Sequence, residues 1–176
     1  MTHKLIQLFF ILFRTGVEYA KYLGVQVGVN CRIYSYKFGT EPWLIEIGNN
    51  VTITSGVVFL THDGSTWLIR DKKGRRFLYR RIRIGNNIFI GINSIIMPGV
   101  IIEDNVVVAA GSVITKSIPS GKVVGGNPAR IIGEFKDYAN SVSTTYVSSD
   151  DLDLSIDYKS RILKVVDNKV KDFLRS

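Results

Sequence analysis

The sequence predicts an all-β fold in which short parallel strands coil around a column of aliphatic side chains. Two observations predict it, and both come from a six-residue repeat between Ile84 and Pro119. The first position of each unit is β-branched and aliphatic: Ile84, Ile90, Ile96, Ile102, Val108 and Ile114. The fourth position is mostly Asn or Gly, which best tolerate left-handed backbone angles: Asn87, Asn93, Gly99, Asn105, Gly111 and Ser117.

One inward β-branched residue followed by a corner residue describes a short strand and a sharp bend. Three such units close a triangular coil, and coils stacked ~4.8 Å apart pair their strands in parallel. An ordinary sheet alternates with period two and would not keep Gly or Asn at one phase through six units. The repeat therefore predicts a parallel β-helix.

The same six-residue repeat is also present before Ile84. Units begin at Ile47, Ile53 and Phe59, and a weaker unit begins at Val27. The distance from Ile47 to Ile84 exceeds a multiple of six by one residue, so the two blocks are out of phase. We expect a β-helix over residues 27–133 that is interrupted by a loop at about 63–83.

Both ends of the chain are expected to add helices to a single domain over residues 1–176. Residues 5–13 are mostly apolar, but they are too few for the ~20 needed to span a bilayer, and no small-residue cleavage site follows them. We expect an N-terminal helix over residues 1–22 that packs on the domain, with peripheral membrane contact as the alternative.

The C-terminal extension covers residues 134–176. Residues 137–149 are rich in Ser and Thr and predict a surface excursion. From about Ser155, apolar residues recur at helical spacing and predict an amphipathic helix that packs rather than binds a ligand. Its apolar positions are Ile156, Ile162, Leu163, Val166, Val170, Phe173 and Leu174.

Composition excludes several kinds of site. Cys31 is the only cysteine, so neither an intrachain disulfide nor a four-thiolate metal site can form. His3 and His62 are the two histidines, which excludes a three-histidine zinc site within one chain. Most of the net charge of +8 lies between Arg70 and Arg83, where Asp71 alone opposes eight basic residues. No nucleic-acid reading motif accompanies this charge.

The chain resembles the hexapeptide-repeat acyltransferases, in particular the maltose, galactoside and capsular-sugar O-acetyltransferases. The resemblance covers residues 27–133 and is carried by Ile84-Gly-Asn-Asn, Ile90-Gly, Pro98-Gly-Val, Val108-Ala-Ala-Gly-Ser-Val-Ile-Thr-Lys116 and Gly126-Asn-Pro-Ala-Arg130. It implies left-handed coils, a homotrimer with active sites between adjacent prisms, and acetyl-CoA as acyl donor with no metal required. It also implies a cytoplasmic role in polysaccharide biosynthesis, with membrane association as the alternative.

The resemblance also implies coenzyme contacts. The matching positions are Ile92 through its backbone, Ala110, Thr115, Lys116 and Arg130. Lys116 and Arg130 would meet phosphate charge, as cations do. The alternative is that these residues are solvated surface cations and plain coil-forming residues.

His62 is the candidate general base. It occupies the fourth position of its unit, where a side chain points outward from the coil. Imidazole, with an ordinary pKa of ~6.5, suits deprotonation of an alcohol near neutral pH. The candidates to orient it are Glu41, Glu46 and Asp63, and we favour Glu41 as the second catalytic residue. The Asn that the sugar acetyltransferases often carry in this region has no convincing match.

The basic loop follows His62 directly. Trp67 and Asp63 are candidate substrate-binding residues, since Trp67 could stack on a sugar and the loop could cover the site or attract an anionic glycan or coenzyme phosphate. The alternative is a solvated hairpin without a binding role.

These features predict an acetyl-CoA-dependent O-acetyltransferase that acts on a sugar or glycan hydroxyl. The alternatives are an N-acetyltransferase acting on an amino sugar, which needs less help from a base, and a non-catalytic β-helix scaffold. No nucleotide-binding domain precedes the repeat within this chain, which disfavours nucleotidyl transfer.

Overall fold

The computed structural model describes residues 3–13 and 15–173, in which the strands wind into a three-sided parallel coil. In chain order the strands are β1 (Gln26–Val27), β2 (Arg32–Ile33), β3 (Ile45–Ile47), β4 (Val51–Ile53), β5 (Val58–Phe59), β6 (Arg70–Asp71), β7 (Gly74–Arg75), β8 (Ile82–Ile84), β9 (Ile88–Ile90), β10 (Ile95–Ile96), β11 (Ile101–Ile102), β12 (Val106–Val108), β13 (Val113–Ile114), β14 (Lys122–Gly126) and β15 (Ala129–Glu134). Short 3-10 helices cover Pro42–Leu44, Gly64–Leu68 and Ser149–Asp151.

Three sheets form the faces of the coil. Face 1 has the strand order β1-β3-β8-β11, face 2 has β14-β12-β9-β4-β2, and face 3 has β13-β10-β5. All pairings within these faces are parallel, and β15 adds to β14 in the antiparallel sense. The chain visits faces 1, 2 and 3 in turn, so one six-residue unit makes one face. The predicted parallel coil is confirmed by this strand order.

The core contains two side chains from each unit. The first position is buried as predicted, with Ile90, Ile96 and Ile102 fully enclosed. The fifth position is buried as well, including Ser94 and Ser112. Their hydroxyls donate to the carbonyl oxygens of nearby residues at 2.7 Å and 2.6 Å, which avoids the cost of an unpaired buried hydroxyl.

The corners adopt the left-handed backbone that the Asn and Gly pattern predicts. Asn87 has φ 55° and Asn105 has φ 58°. At the corner between faces 1 and 2, the Asn side chains also form a ladder. Each amide nitrogen donates to the oxygen of the next, from Asn30 to Asn50 at 3.0 Å, from Asn50 to Asn87 at 2.8 Å and from Asn87 to Asn105 at 3.1 Å.

Two helices precede the coil, α1 (His3–Phe13) and α2 (Gly16–Tyr22), where the sequence predicts one. The second helix starts at a capping box, in which Thr15 accepts from the Glu18 amide and Glu18 accepts from the Thr15 amide. Tyr19 is buried and its ring lies 5.3 Å from that of Tyr36, so α2 packs on the first coil as expected. No helix in residues 3–13 and 15–173 is long and apolar enough to cross a bilayer.

The described residues up to 136 form one compact unit and those from 137 to 173 form a second, while the single domain over 1–176 stays a prediction. The predicted surface excursion at 137–149 has no buried residue, but it is not irregular, because α3 (Phe135–Thr145) covers most of it. Hydroxyls of this segment, such as that of Thr144, donate to carbonyls four residues back, which lets a Ser/Thr-rich segment stay helical.

The predicted C-terminal helix is confirmed over α4 (Tyr158–Val165), which Asp157 caps. Residues 166–173 have no regular secondary structure, so only part of the predicted run of apolar positions is helical. Leu174, its last member, lies outside the described residues.

Candidate active site

One edge of the coil, following face 3, carries most of the candidate residues. Phe59, Ile96 and Ile114 pair in register across this face. His62 follows the first of these and Lys116 follows the third. Because coils stack ~4.8 Å apart, the two backbone positions lie two coil steps, or roughly 10 Å, apart along one edge.

Glu41 is the neighbour of His62 in the preceding coil. A bridge between Lys37 and Val58 aligns residues 21 apart, and the same offset separates Glu41 from His62. The imidazole Nδ1 of His62 lies 3.0 Å from Oε2 of Glu41. Since an ionised carboxylate only accepts hydrogen bonds, Nδ1 is the donor to Glu41, and Nε2 takes no part in this bond.

Glu41 is held as a carboxylate by its hydrogen bonds. The Thr40 hydroxyl donates to Oε1 and the Thr61 hydroxyl to Oε2, each at 2.6 Å. Burial opposes the charge of Glu41, but the bonds from Thr40, Thr61 and His62 outweigh it and lower the pKa of the carboxyl. The Glu41 side chain is 17% exposed and that of His62 39%, so the base is open to solvent while its partner is shielded.

A cleft of about 250 Å³ opens at His62. Its lining consists of Thr40, Glu41, His62, Asp63, Arg75, Phe77, Leu78 and Tyr79. Asp63 also lines this cleft, and its Oδ1 accepts from the amide and hydroxyl of Ser65 at 2.9 Å and 2.7 Å. These bonds with Ser65 lower the pKa of Asp63 and cap the 3-10 helix that follows.

The chain leaves the coil at His62 and returns at Tyr79, and we call residues 63–81 the basic excursion. His62 and Tyr79 form an antiparallel bridge, so the backbone at His62 starts the excursion instead of adopting the left-handed corner of other units. Farther out, β6 and β7 form the hairpin that one interpretation of the sequence predicts. The side chains of Arg76 and Asp71 pair within it.

Three of the predicted coenzyme contacts line one cavity. Thr115, Lys116 and Arg130 border a volume of about 390 Å³ at the last coil and the β15 hairpin. Neither Lys116 nor Arg130 has an ion pair with any described residue. Two unpaired cations beside an open cavity suit a phosphate-bearing ligand.

The other two predicted coenzyme contacts lie on a different edge, between faces 2 and 3. Ile92 and Ala110 occupy this edge in successive coils, and the Gly111 amide donates to the Ile92 carbonyl at 2.8 Å. A Cβ on Gly91 would come within 2.5 Å of the Ala110 nitrogen, so the close stacking here requires glycine. Neither residue borders the cavity at Lys116.

Two other candidates are placed away from His62. Glu46 lies on face 1 and pairs with Arg81 and Arg83, each at 3.2 Å. Trp67 does not line the cleft, and its ring packs against the guanidinium groups of Arg70 and Arg75 at 4.5 Å and 4.8 Å.

Among the residues that the structure describes, no group of three His, Cys, Asp or Glu side chains could hold a metal ion.

Comparison with known proteins decides the family. A model of the hexapeptide repeat of succinyl-transferase matches residues 81–116. Protein CapG of Staphylococcus aureus is 49% identical over 123 residues, which cover 68% of this chain and 72% of CapG. The chain belongs to the hexapeptide-repeat acyltransferase family. The resemblance that the sequence motifs carry is thereby confirmed.

Two further relatives are named as galactoside acetyltransferases. The galactoside O-acetyltransferase of Escherichia coli strain K12 is 38% identical over 97 residues, covering 55% of this chain and 47% of that protein. A solved galactoside acetyltransferase in complex with coenzyme A superposes with a TM-score of 0.54 at 32% identity, over 72% of this chain and 61% of the other. The chain thus spans about half to two thirds of these two relatives.

Sequence reasoning missed Thr40, Thr61 and Arg75 as parts of the site. Thr61 is fully buried, yet nothing in its position of the repeat distinguishes it from an exposed threonine. Arg75 is one of eight basic residues in its stretch, and only the folded excursion brings it to the cleft.

Proposed function

We propose that this acyltransferase transfers an acetyl group from acetyl-CoA to a hydroxyl of a sugar or glycan, with His62 as general base. The observation that carries the proposal is the hydrogen bond between Nδ1 of His62 and the shielded Glu41 carboxylate. This bond orients the ring and leaves Nε2 available at the open cleft. Such an arrangement of base and orienting carboxylate is the usual way to activate a hydroxyl.

In this mechanism His62 Nε2 removes the proton of the acceptor hydroxyl as its oxygen attacks the thioester carbonyl. The carbon–sulfur bond then breaks, and the imidazolium returns the proton to the departing sulfur. The products are an acetyl ester and CoA, with His62 neutral again. The negative charge of Glu41 stabilises the imidazolium between the two steps.

The donor site follows from the cavity at Lys116. Thr115, Lys116 and Arg130 would bind acetyl-CoA, with the two cations opposite its phosphates. Ile92 and Ala110, on the other edge of face 3, would contact the coenzyme in a neighbouring subunit's groove. This assignment requires the homotrimer and the left-handed coil that the family resemblance implies, and we include both in the proposal.

The test is turnover against a panel of sugars, amino sugars and nucleotide sugars, comparing wild type with His62→Ala. We expect kcat on hydroxyl acceptors to fall by about 10²–10⁴-fold, the contribution of general-base catalysis. Calorimetric binding of CoA checks that the variant keeps its donor site. Turnover of amino sugars that survives the substitution would instead favour N-acetylation, and hydroxyl turnover equal to wild type would overturn the role of His62.

A further inference from the structure

The basic excursion forms one wall of the cleft at His62. Its two ends are tied together, since the Asp63 amide donates to the Leu78 carbonyl at 3.2 Å and the Arg80 amide to the Thr61 carbonyl at 2.8 Å. The returning segment thereby brings Arg75 and Phe77 to the lining of the cleft. The excursion is a built part of the site and not only a connection between two coils.

Arg75 is fixed in place by aromatic rings. Its guanidinium carbon lies 4.8 Å from the centroid of the Trp67 ring and 4.5 Å from that of Phe77. The Phe77 ring stacks on Tyr79, which forms the bridge to His62. Cation–π contacts of this kind orient a guanidinium without using any of its hydrogen-bond donors.

Those donors have no partner in the described part of the chain. The Nε of Arg75 is buried and makes no hydrogen bond, and no ion pair involves this side chain. By contrast, Arg76 pairs with Asp71, while Arg81 and Arg83 pair with Glu46. A buried donor without a partner is uncommon and is costly unless a ligand satisfies it.

The two carboxylates of the cleft are already engaged. Glu41 accepts from Thr40, Thr61 and His62, and Asp63 accepts from Ser65. An anion would be repelled near either of them, so the Arg75 side is where an anionic group can bind.

The position of Arg75 points to the acceptor and not to the coenzyme. The cleft is lined by Thr40 and Glu41, which belong to the coil before that of His62. The cavity of Lys116 and Arg130 lies two coils after His62. The guanidinium of Arg75 and the proposed phosphate site thus border two different cavities, and only that of Arg75 includes His62.

We propose that Arg75 binds an anionic group of the acceptor, so that the substrate is an acidic sugar. This inference rests on the proposed O-acetyl transfer at His62 and names the class of its acceptor. A carboxylate or a phosphate fits the planar fork of the guanidinium. A uronic acid residue and a sugar phosphate are the two sources of such a group.

The experiment compares three matched acceptors: a neutral hexoside, the corresponding uronide and the corresponding hexose phosphate. We expect wild type to favour one acidic acceptor over the neutral one in kcat/KM, and that acceptor identifies the source of the anion. In Arg75→Met the ratio of acidic to neutral kcat/KM falls roughly 10- to 100-fold, mainly through KM, as for loss of a hydrogen bond to a charged group. Arg75→Lys restores part of the ratio.

Arg70→Met is the matched control, because Arg70 stacks on Trp67 but does not line the cleft. We expect it to keep the wild-type ratio. Calorimetric titration of the same three ligands provides a readout that does not depend on turnover. Wild type that binds the neutral sugar as well as the acidic ones, or a ratio that Arg75→Met leaves unchanged, would overturn the inference.

His62→Ala, assayed in parallel, separates the two proposals. If it is inactive while Arg75→Met keeps the wild-type ratio, only the acidic acceptor is wrong. If it retains hydroxyl transfer while Arg75→Met loses the preference, the acceptor class stands and the base assignment fails.

Discussion

Thr40, Thr61, Glu41 and His62 form one hydrogen-bond network, in which each has a different role. Thr40 and Thr61 keep Glu41 ionised, Glu41 fixes the ring of His62, and the opposite ring nitrogen remains for the acceptor. The shielding of Glu41 strengthens these bonds, since water competes less for them. In the proposed mechanism, this one carboxylate contributes to both stability and catalysis.

Stability should depend on the titration of Glu41. Because its folded pKa lies below the ordinary value of 4.5, its bonds stabilise the fold above that pH and are lost as the pH falls through the lowered pKa. We expect Glu41→Gln to cost roughly 1–3 kcal/mol in the free energy of unfolding at neutral pH. The difference from wild type should shrink below about pH 4.5, as measured by denaturant unfolding.

The control for this prediction is Glu46→Gln, which removes a more exposed carboxylate that pairs with Arg81 and Arg83. Surface pairs of this kind contribute about 0–1 kcal/mol. If the difference in the free energy of unfolding between Glu41→Gln and wild type stays constant down to pH 3, the charge of Glu41 is not the source of the stabilisation.

At the scale of the elements, the coil tolerates insertions at its corners. The side chain of Asn87 pairs with that of Asn105, 18 residues on, but the corresponding pair across the excursion, Asn50 and Asn87, is 37 residues apart. The first coil is longer too, with pairs at 20 and 21 residues. The strands on either side of both insertions still pair in parallel register.

Substitutions at an Asn corner test whether the repeat requires a residue that tolerates a left-handed backbone. At φ 55°, Asn87 is in a conformation that costs an ordinary residue about 1–2 kcal/mol, whereas glycine adopts it freely. Asn87→Ala should therefore lower the free energy of unfolding by about that amount plus the loss of the ladder bonds. Asn87→Gly should be the more stable of the two variants in thermal or denaturant unfolding.

This order of stability is the reverse of the usual one, because in a regular helix or strand glycine makes the protein less stable than alanine does. The two variants lose the same amide side chain, so each is the control for the other. Asn87→Ala equal to or more stable than Asn87→Gly would contradict a strained corner.

Across the whole molecule, the candidate coenzyme contacts are divided between two edges of the coil, which bears on the number of chains in the active assembly. Thr115 and Lys116 follow face 3 while Ile92 and Ala110 precede it, so one chain presents them on two edges. A groove that uses both sets needs a second chain beside the first. The trimer in the proposal would provide such grooves.

We expect a solution mass about three times that of the 19.7 kDa chain, measured by light scattering or sedimentation. Acetyl-CoA binding should weaken when subunits dissociate on dilution, since each groove would lose one of its walls. A monomer that binds acetyl-CoA with full affinity would contradict a site between subunits.

Much of the fold could be predicted because the repeat is a local signal. Within each six-residue unit, the first position must fill the core, which favours Ile or Val. The fourth position must form a tight corner, which favours Asn or Gly. The α3 helix was missed because Ser/Thr-rich composition disfavours helix on average, whereas here hydroxyls donate within the helix. The repeat also placed His62 outside the buried positions of its unit, although the backbone there starts the excursion instead of forming a left-handed corner.

Residue types at a fixed spacing are enough to establish the parallel coil, its interruption after His62 and the acyltransferase family. Only the folded chain shows that Glu41 and not Glu46 contacts His62, because the first coil is longer than the later ones and shifts the register. It also shows that Arg75, among eight basic residues in its stretch, reaches the cleft. Both outcomes depend on the path of an insertion, which no local spacing encodes.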